Sequence, residues 1–231
     1  MTIRRSRLVA ILPAVAFLLG GLPAMVLLGG LPAVAQVSGT YTYTILHPTY
    51  GAIGTWTASV RENGSDVTIA SRLAIAVTVL GITMHRETAE RTELWKAGRL
   101  ASFQGQTDVN GTETAVSGHA TRDGFSVSRP EGVETARGLV LLASPIALLF
   151  AHPGPVTVVT PKNGEIQNVV LSKPDETMLP GDDYPVRHFL VSGRKREEVW
   201  VNRSGIPVRF VGQEYGSPIE GVLQQAHARQ P

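Results

Sequence analysis

His85 and Glu87 stand two residues apart, a spacing that puts an imidazole and a carboxylate on one face of a β-strand. Arg91 and Glu93 continue that face. Same-face neighbours lie within reach of each other, so the set is able to hold a metal ion or to form an acid/base pair. It makes a salt-bridged solvent face equally well, and this is the favoured reading, because a metal site needs three or more convergent ligands. Arg86 and Glu90 occupy the other face of the same strand. There they form either an Arg–Glu pair near the rim of the sheet or a polar anchor for a ligand head group in an apolar trough. The remaining histidines, His47, His119, His152, His188 and His227, make no His-x-x-x-His or His-x-x-Glu-His pattern. No Gly-x-Ser-x-Gly elbow and no Gly-rich phosphate loop opening a helix occurs. The chain has no cysteine, which excludes thiol nucleophiles, thiolate zinc sites, disulfides and a lipid-modified N-terminal cysteine. No catalytic residue, metal or cofactor is therefore expected.

The elements that must carry these residues read as antiparallel strands. From Gly39 the sequence alternates with period two, with turn residues every ten or so positions. Val67, Ile69, Leu73, Ile75, Val77 and Val79 give the longest apolar face. The chain reverses at Leu80-Gly81-Ile82 and returns through Trp95. With Gly81-Ile82 as the loop, Leu80 faces Thr83, Ile75 faces Thr88, Leu73 faces Glu90 and Ile69 faces Leu94. A one-residue slip would set His85, Glu87 and Glu93 against Val77, Ile75 and Ile69. The first register is preferred because side chains on one sheet face must suit one another. It places Arg86 and Glu90 beside Leu73, Ile75 and Val77. Further strands follow over 100–109, 112–121, 125–128, 156–160, 165–171, 186–191, 197–202 and 208–214, with a polar loop at 172–183 and a short last segment after Gly216. The uncharged run 138–152 breaks the pattern. Ser144-Pro145 is a helix start, so a short apolar helix is expected, either buried under the sheet or forming a lid over an apolar cavity.

Residues 1–35 read as an export signal. Arg4, Arg5 and Arg7 precede an uncharged apolar run, and Ala33-Val34-Ala35 supplies a small-x-small cleavage pattern, predicting a mature start at Gln36. Domains are accordingly expected at 1–35 (signal peptide) and 36–231 (one β-rich domain), in a periplasmic or secreted protein. The leader holds 3 of the 21 basic residues and no acidic one, which leaves 18 against 19 and a net charge of −1. A near-neutral domain gives no support to nucleic-acid binding. Membrane contact is expected only through the leader, where it is retained.

Trp95-Lys96-Ala97-Gly98-Arg99-Leu100, the charged strand before it and Thr107-Asp108-Val109-Asn110-Gly111 resemble an uncharacterised family of exported bacterial β-proteins. Glu198-Val199-Trp200-Val201 with the Gly205-Ile206-Pro207-Val208 turn is similar to a second family of that kind. Both look like relatives of the half-barrel group that includes the periplasmic lipoprotein carriers. The resemblance implies a mainly β protein: one strongly curved antiparallel meander, a half-barrel, with a short helix covering its concave side. The expected role is binding of a hydrophobic or lipid-like ligand, with Arg86, Glu90, Leu73, Ile75, Val77 and Leu148 as the binding residues. The alternative is an envelope interaction module whose concavity is filled by its own side chains, with a protein partner.

Overall fold

The computed structural model describes residues 37–181, 183–214 and 216–228. The expected leader lies outside them. The described residues form one antiparallel sheet with almost no helix. Its strands in chain order are β1 (Gly39–His47), β2 (Gly51–Asn63), β3 (Asp66–Val79), β4 (Ile82–Lys96), β5 (Arg99–Val109), β6 (Thr112–Thr121), β7 (Gly124–Arg129) and β8 (Gly132–Ala136). Then come β9 (Val140–Leu142), β10 (Gly154–Val159), β11 (Ile166–Leu171), β12 (Asp175–Thr177), β13 (Val186–Ser192), β14 (Arg196–Val201), β15 (Pro207–Glu214) and β16 (Ser217–Ala228).

Two meanders meet at the pairing of β1 with β16. The spatial order runs from β8 down to β1, across to β16, and on through β15, β14, β13, β11 and β10 to β9, with β12 pairing β13 to one side. Short hairpins make neighbours in sequence neighbours in space. The only parallel pair among the described residues is β9 with β10. The expected half-barrel is thus a nearly closed, barrel-like sheet. What joins its two meanders is β16, which the sequence presents only as a short last segment and which is a twelve-residue strand paired with β1 from Glu220 to Ala228.

One face of every long strand points into a common core. Tyr43, Trp56, Val60, Ile69, Trp95, Phe103, Val127 and Ile146 are among its members. Aromatic pairs fill the interior: Trp95 stacks on Phe150 at 4.1 Å and Phe103 on Phe125 at 6.0 Å. Glycines make room for the rings. A Cβ at Gly221 would meet the Phe210 ring, and one at Gly118 would meet Phe103 and Phe125.

The expected apolar helix shrinks to a 3-10 turn over Pro145–Phe150. Ser144 precedes it in extended conformation, and its hydroxyl makes no capping bond. Val140–Leu142, inside the same apolar run, pair with β10 instead. The expected loop at 172–183 contains the short strand β12.

The β3–β4 register departs from expectation by one residue. Ile75 lies opposite Glu87, Val77 opposite His85 and Ile69 opposite Glu93. The turn residues are Leu80 and Gly81, both at positive φ (52° and 82°), the arrangement a two-residue hairpin loop favours. A bulge between Val77 and Thr78 then takes up one extra residue, Met84. Together they turn the odd-numbered side chains of β4 inward. Arg86 and Glu90 are consequently exposed, on the opposite side of the sheet from Leu73, Ile75 and Val77.

Candidate functional site

The inward face of β4 carries His85, Glu87, Ala89, Arg91, Glu93 and Trp95 in one column along the barrel wall. Strand alternation dictates this once the register is set. Glu87 is only 4% exposed and Glu93 only 1%, so each needs a partner. For Glu87 it is Lys162, from the turn between β10 and β11, whose Nζ lies 2.7 Å from Oε2. His85 Nε2 stands 3.8 Å from the same oxygen. For Glu93 it is the indole of Trp95, whose Nε1 donates to Oε2 at 2.8 Å. Burial pushes the Glu93 carboxyl up to about 7, against the opposing pull of that hydrogen bond and of Arg91. Arg91 sits between the two carboxylates. Burial lowers its pKa, while Glu87, Glu93 and Glu214 favour its charged form. The residue opposite it on β5 is Gly105, which leaves space for the long side chain.

At the upper end of this column the barrel interior opens as a cavity of about 310 Å³. Its walls are Ile53 from β2, Ile75 and Val77 from β3, Met84 from β4, Ile219 from β16 and Tyr50 from the β1–β2 turn. His47, His85, Glu87, Glu214 and Ser217 supply a smaller polar part. The size falls at the lower end of the range for small-molecule pockets, and an apolar wall with a few converging polar groups is their usual make-up. At 3.8 Å His85 and Glu87 are too far apart for a hydrogen bond, and Lys162 neutralises the carboxylate. Among the described residues no group of three or more His, Asp or Glu side chains is placed to hold a metal.

Of the six residues expected to bind ligand, Ile75 and Val77 line this cavity. Leu73 packs against the core cluster below it. Leu148 joins a separate cluster with Leu171, Phe189, Val199 and Val201. Arg86 and Glu90 are not at the site. The Arg86 backbone N–H donates to Asn110 Oδ1 at 2.8 Å. Glu90 pairs with Arg72 at 3.2 Å with both side chains largely in water, in an open outer trough of about 950 Å³. That trough is larger than the mouth cavity. Its lining, however, mixes hydroxyl and amide side chains such as Thr57, Thr92 and Gln104 with the charged Arg61, Arg72 and Glu90, an open polar surface of the kind that water solvates.

Two of the polar groups that reach the cavity, His85 and Glu87, are ones that sequence reasoning favours as a salt-bridged solvent face. The signal that corrects the assignment is local. Gly81 stands in the same turn position as Gly98 after Ala97 and Gly111 after Asn110, and in all three turns the preceding residue also has positive φ.

The model of a family described as a domain of unknown function, DUF6134, matches residues 48–224. Among solved structures, a beta-barrel-like protein of the domain of unknown function DUF1849 from Brucella abortus superposes with a TM-score of 0.61 at 13% identity, covering 85% of this chain and 99% of that one. A DUF1089 family protein from Pseudomonas aeruginosa gives a TM-score of 0.41 at 11% identity, covering 66% and 87%. No curated protein matches the chain.

Proposed function

The chain belongs to the family of domains of unknown function DUF6134, and since that membership carries no activity, we propose from the site alone that the protein binds a small hydrophobic or lipid-like ligand in the mouth of its barrel. The observation that carries the reading is the cavity itself. Ile53, Ile75, Val77, Met84 and Ile219 surround space that no side chain fills, next to one polar edge. Burial of apolar area supplies the binding free energy, and the polar edge orients one end of the ligand. The anchor is His85 with the Lys162–Glu87 pair behind it, in the place first assigned to Arg86 and Glu90. This reading makes the protein a binder rather than an enzyme, and it is supported by the way Lys162 holds the carboxylate of the His85–Glu87 pair that faces the cavity. The leader composition supports export to the periplasm or beyond, with cleavage after Ala35.

Native mass spectrometry of protein purified from the exported fraction without detergent tests the reading. A bound apolar mass that disappears on organic extraction supports it, and N-terminal sequencing of the same sample reads the cleavage site. A clean apo mass that no added fatty acid changes overturns it. That result would favour the second reading, an interaction module of the envelope. Support for this alternative comes from the lower barrel, which is filled solidly by the Trp95–Phe150 and Phe103–Phe125 stacks.

A further inference from the structure

The β3–β4 hairpin ends in exposed apolar side chains. Leu80 is 98% exposed, Ile82 66%, Met84 65% and Val79 39%. From Leu73 through Met84 the chain carries no charge, and the outward-facing residues of β3 in this stretch are Ala74, Ala76 and Thr78. The hairpin is therefore weakly polar on both faces, not amphipathic. Monomeric proteins in water rarely display apolar side chains grouped in this way. Leu80 also holds a positive φ, a backbone state that branched side chains seldom adopt.

We infer that this hairpin is a finger that enters the surface of a phospholipid bilayer and sets the cavity mouth against the lipid. The inference takes its purpose from the ligand-binding reading, but its test does not depend on any occupant of the cavity.

Three observations point to lipid. The first is depth. From the Val77–His85 level to the turn the finger rises three residues, about 10 Å at strand spacing, close to the depth at which interfacial elements settle. The second is charge. Arg86 is exposed, forms no ion pair among the described residues, and is the first permanent charge beyond the tip. It sits where a cationic side chain meets headgroup phosphates. The third is size. Four side chains are far fewer than the roughly 20–30 residues a side of a stable protein interface, so a second copy of the chain fits poorly. Acyl chains, by contrast, solvate a narrow finger on all sides. The tip is also continuous with the cavity, because Met84 belongs to both and Tyr50, half exposed, flanks the opening.

The absence of cysteine makes the test clean. In the full chain, Leu80→Cys carries a polarity-sensitive fluorophore, and Val133→Cys, exposed on β8, carries the same label as control. Vesicles of phosphatidylcholine and phosphatidylglycerol are added. The label at 80 is expected to shift to the blue and to lose its quenching by aqueous iodide, while the label at 133 keeps both its emission and its quenching. Adding Ile82→Asp to the Leu80→Cys chain should abolish the change, even where the leader still holds the protein on the vesicle. An unchanged label at 80 overturns the inference. So does a blue shift that grows with protein concentration in the absence of vesicles, which would assign the tip to self-association. Neither result bears on whether the cavity binds ligand.

Discussion

The indole of Trp95 and the carboxyl of Glu93 are joined by a 2.8 Å hydrogen bond, with both side chains sealed inside the barrel. Glu93 is flanked across the ladders by Ile69 and Phe103. The carboxylate thus loses its water and gains only the indole donor and the field of Arg91, and burial dominates. Its pKa rises from an ordinary value near 4.5 to about 7. The folded state then binds more protons than the unfolded state between those values, so stability must fall as pH rises through that window. The shift corresponds to an order of about 3 kcal/mol, fully felt above pH 7 and absent below about pH 4.5. Glu93→Gln keeps an acceptor for the indole and cannot ionise. Urea denaturation of the variant between pH 5 and 8 should give a flatter curve than wild type, with the gain largest at pH 8. A wild-type curve that rises across this range would contradict the assignment.

Higher in the same column, Lys162 spans from the β10–β11 turn to Glu87 on β4. The Lys162 side chain is 22% exposed and that of Glu87 5%. Removing one partner of a fully buried pair costs roughly 3–5 kcal/mol, and partial exposure of Lys162 lowers this to about 2 kcal/mol. Lys162→Met should reduce stability by that amount at pH 7. Much of the loss should return in the double variant Lys162→Met with Glu87→Gln, which removes the buried charge. Equal stability of the single and double variants would show that the stranded Glu87 charge is not the source of the loss.

The strands were legible because their alternation is regular and their turns are marked by Asn-Gly and X-Gly pairs. What positions the site was not. Two compensating local features set the β3–β4 register: a turn whose first residue is leucine at positive φ, and a bulge at Met84. The turn is marked only by Gly81 and the bulge by nothing in the composition, and a one-residue error exchanges the faces of a whole strand. Apolar and charged side chains share the inner face here for a physical reason. Glu87 and Glu93 are tolerated among apolar neighbours because Lys162 and Trp95 satisfy them: Lys162 comes from a distant turn that a pairwise view of two strands does not contain, and the Trp95 indole acts along β4 itself, as a donor that face matching between strands does not count. The junction of β16 with β1 was hidden in the same way. Its pairing with β1 passes over Gln224, so the alternation changes phase in mid-strand, and its inward position 221 is a glycine that leaves room for the Phe210 ring.

Gly54 lies opposite Ile75, immediately beside the cavity. A Cβ there would come within 2.8 Å of the Ile75 Cα and closer still to the Ala74 carbonyl oxygen. Both are backbone atoms, so no rotamer change relieves the clash, and β2 and β3 must separate locally. Gly54→Ala should cost about 2–3 kcal/mol and lower the melting temperature by roughly 5–10 °C. Gly98→Ala provides the contrast. Its Cβ would meet nothing within 4 Å, and only its positive φ of 74° is strained, a cost of about 1 kcal/mol. Equal losses for the two would exclude close strand approach as the reason for glycine at 54.

The ligand reading separates residues that the sequence grouped together. Val77 lines the cavity near its opening, where a carboxylate can stay hydrated without unfolding the barrel. Val77→Asp should therefore lower affinity for a fluorescent fatty acid at least about tenfold, since it removes apolar contact worth more than 1.4 kcal/mol and adds a charge to the wall. Leu148→Ala should leave affinity unchanged, because Leu148 packs with Phe189 and Val199 in the second cluster, and should cost about 2 kcal/mol of stability instead. Arg86→Ala and Glu90→Ala should alter neither, as both side chains lie on the outer face and exposed ion pairs contribute little. His85→Ala should weaken binding of a fatty acid more than that of a hydrocarbon of equal length, because the imidazole touches only the polar end. Circular dichroism on each variant verifies that the fold is kept. Loss of affinity in Leu148→Ala with none in Val77→Asp would move the binding site away from the mouth of the barrel.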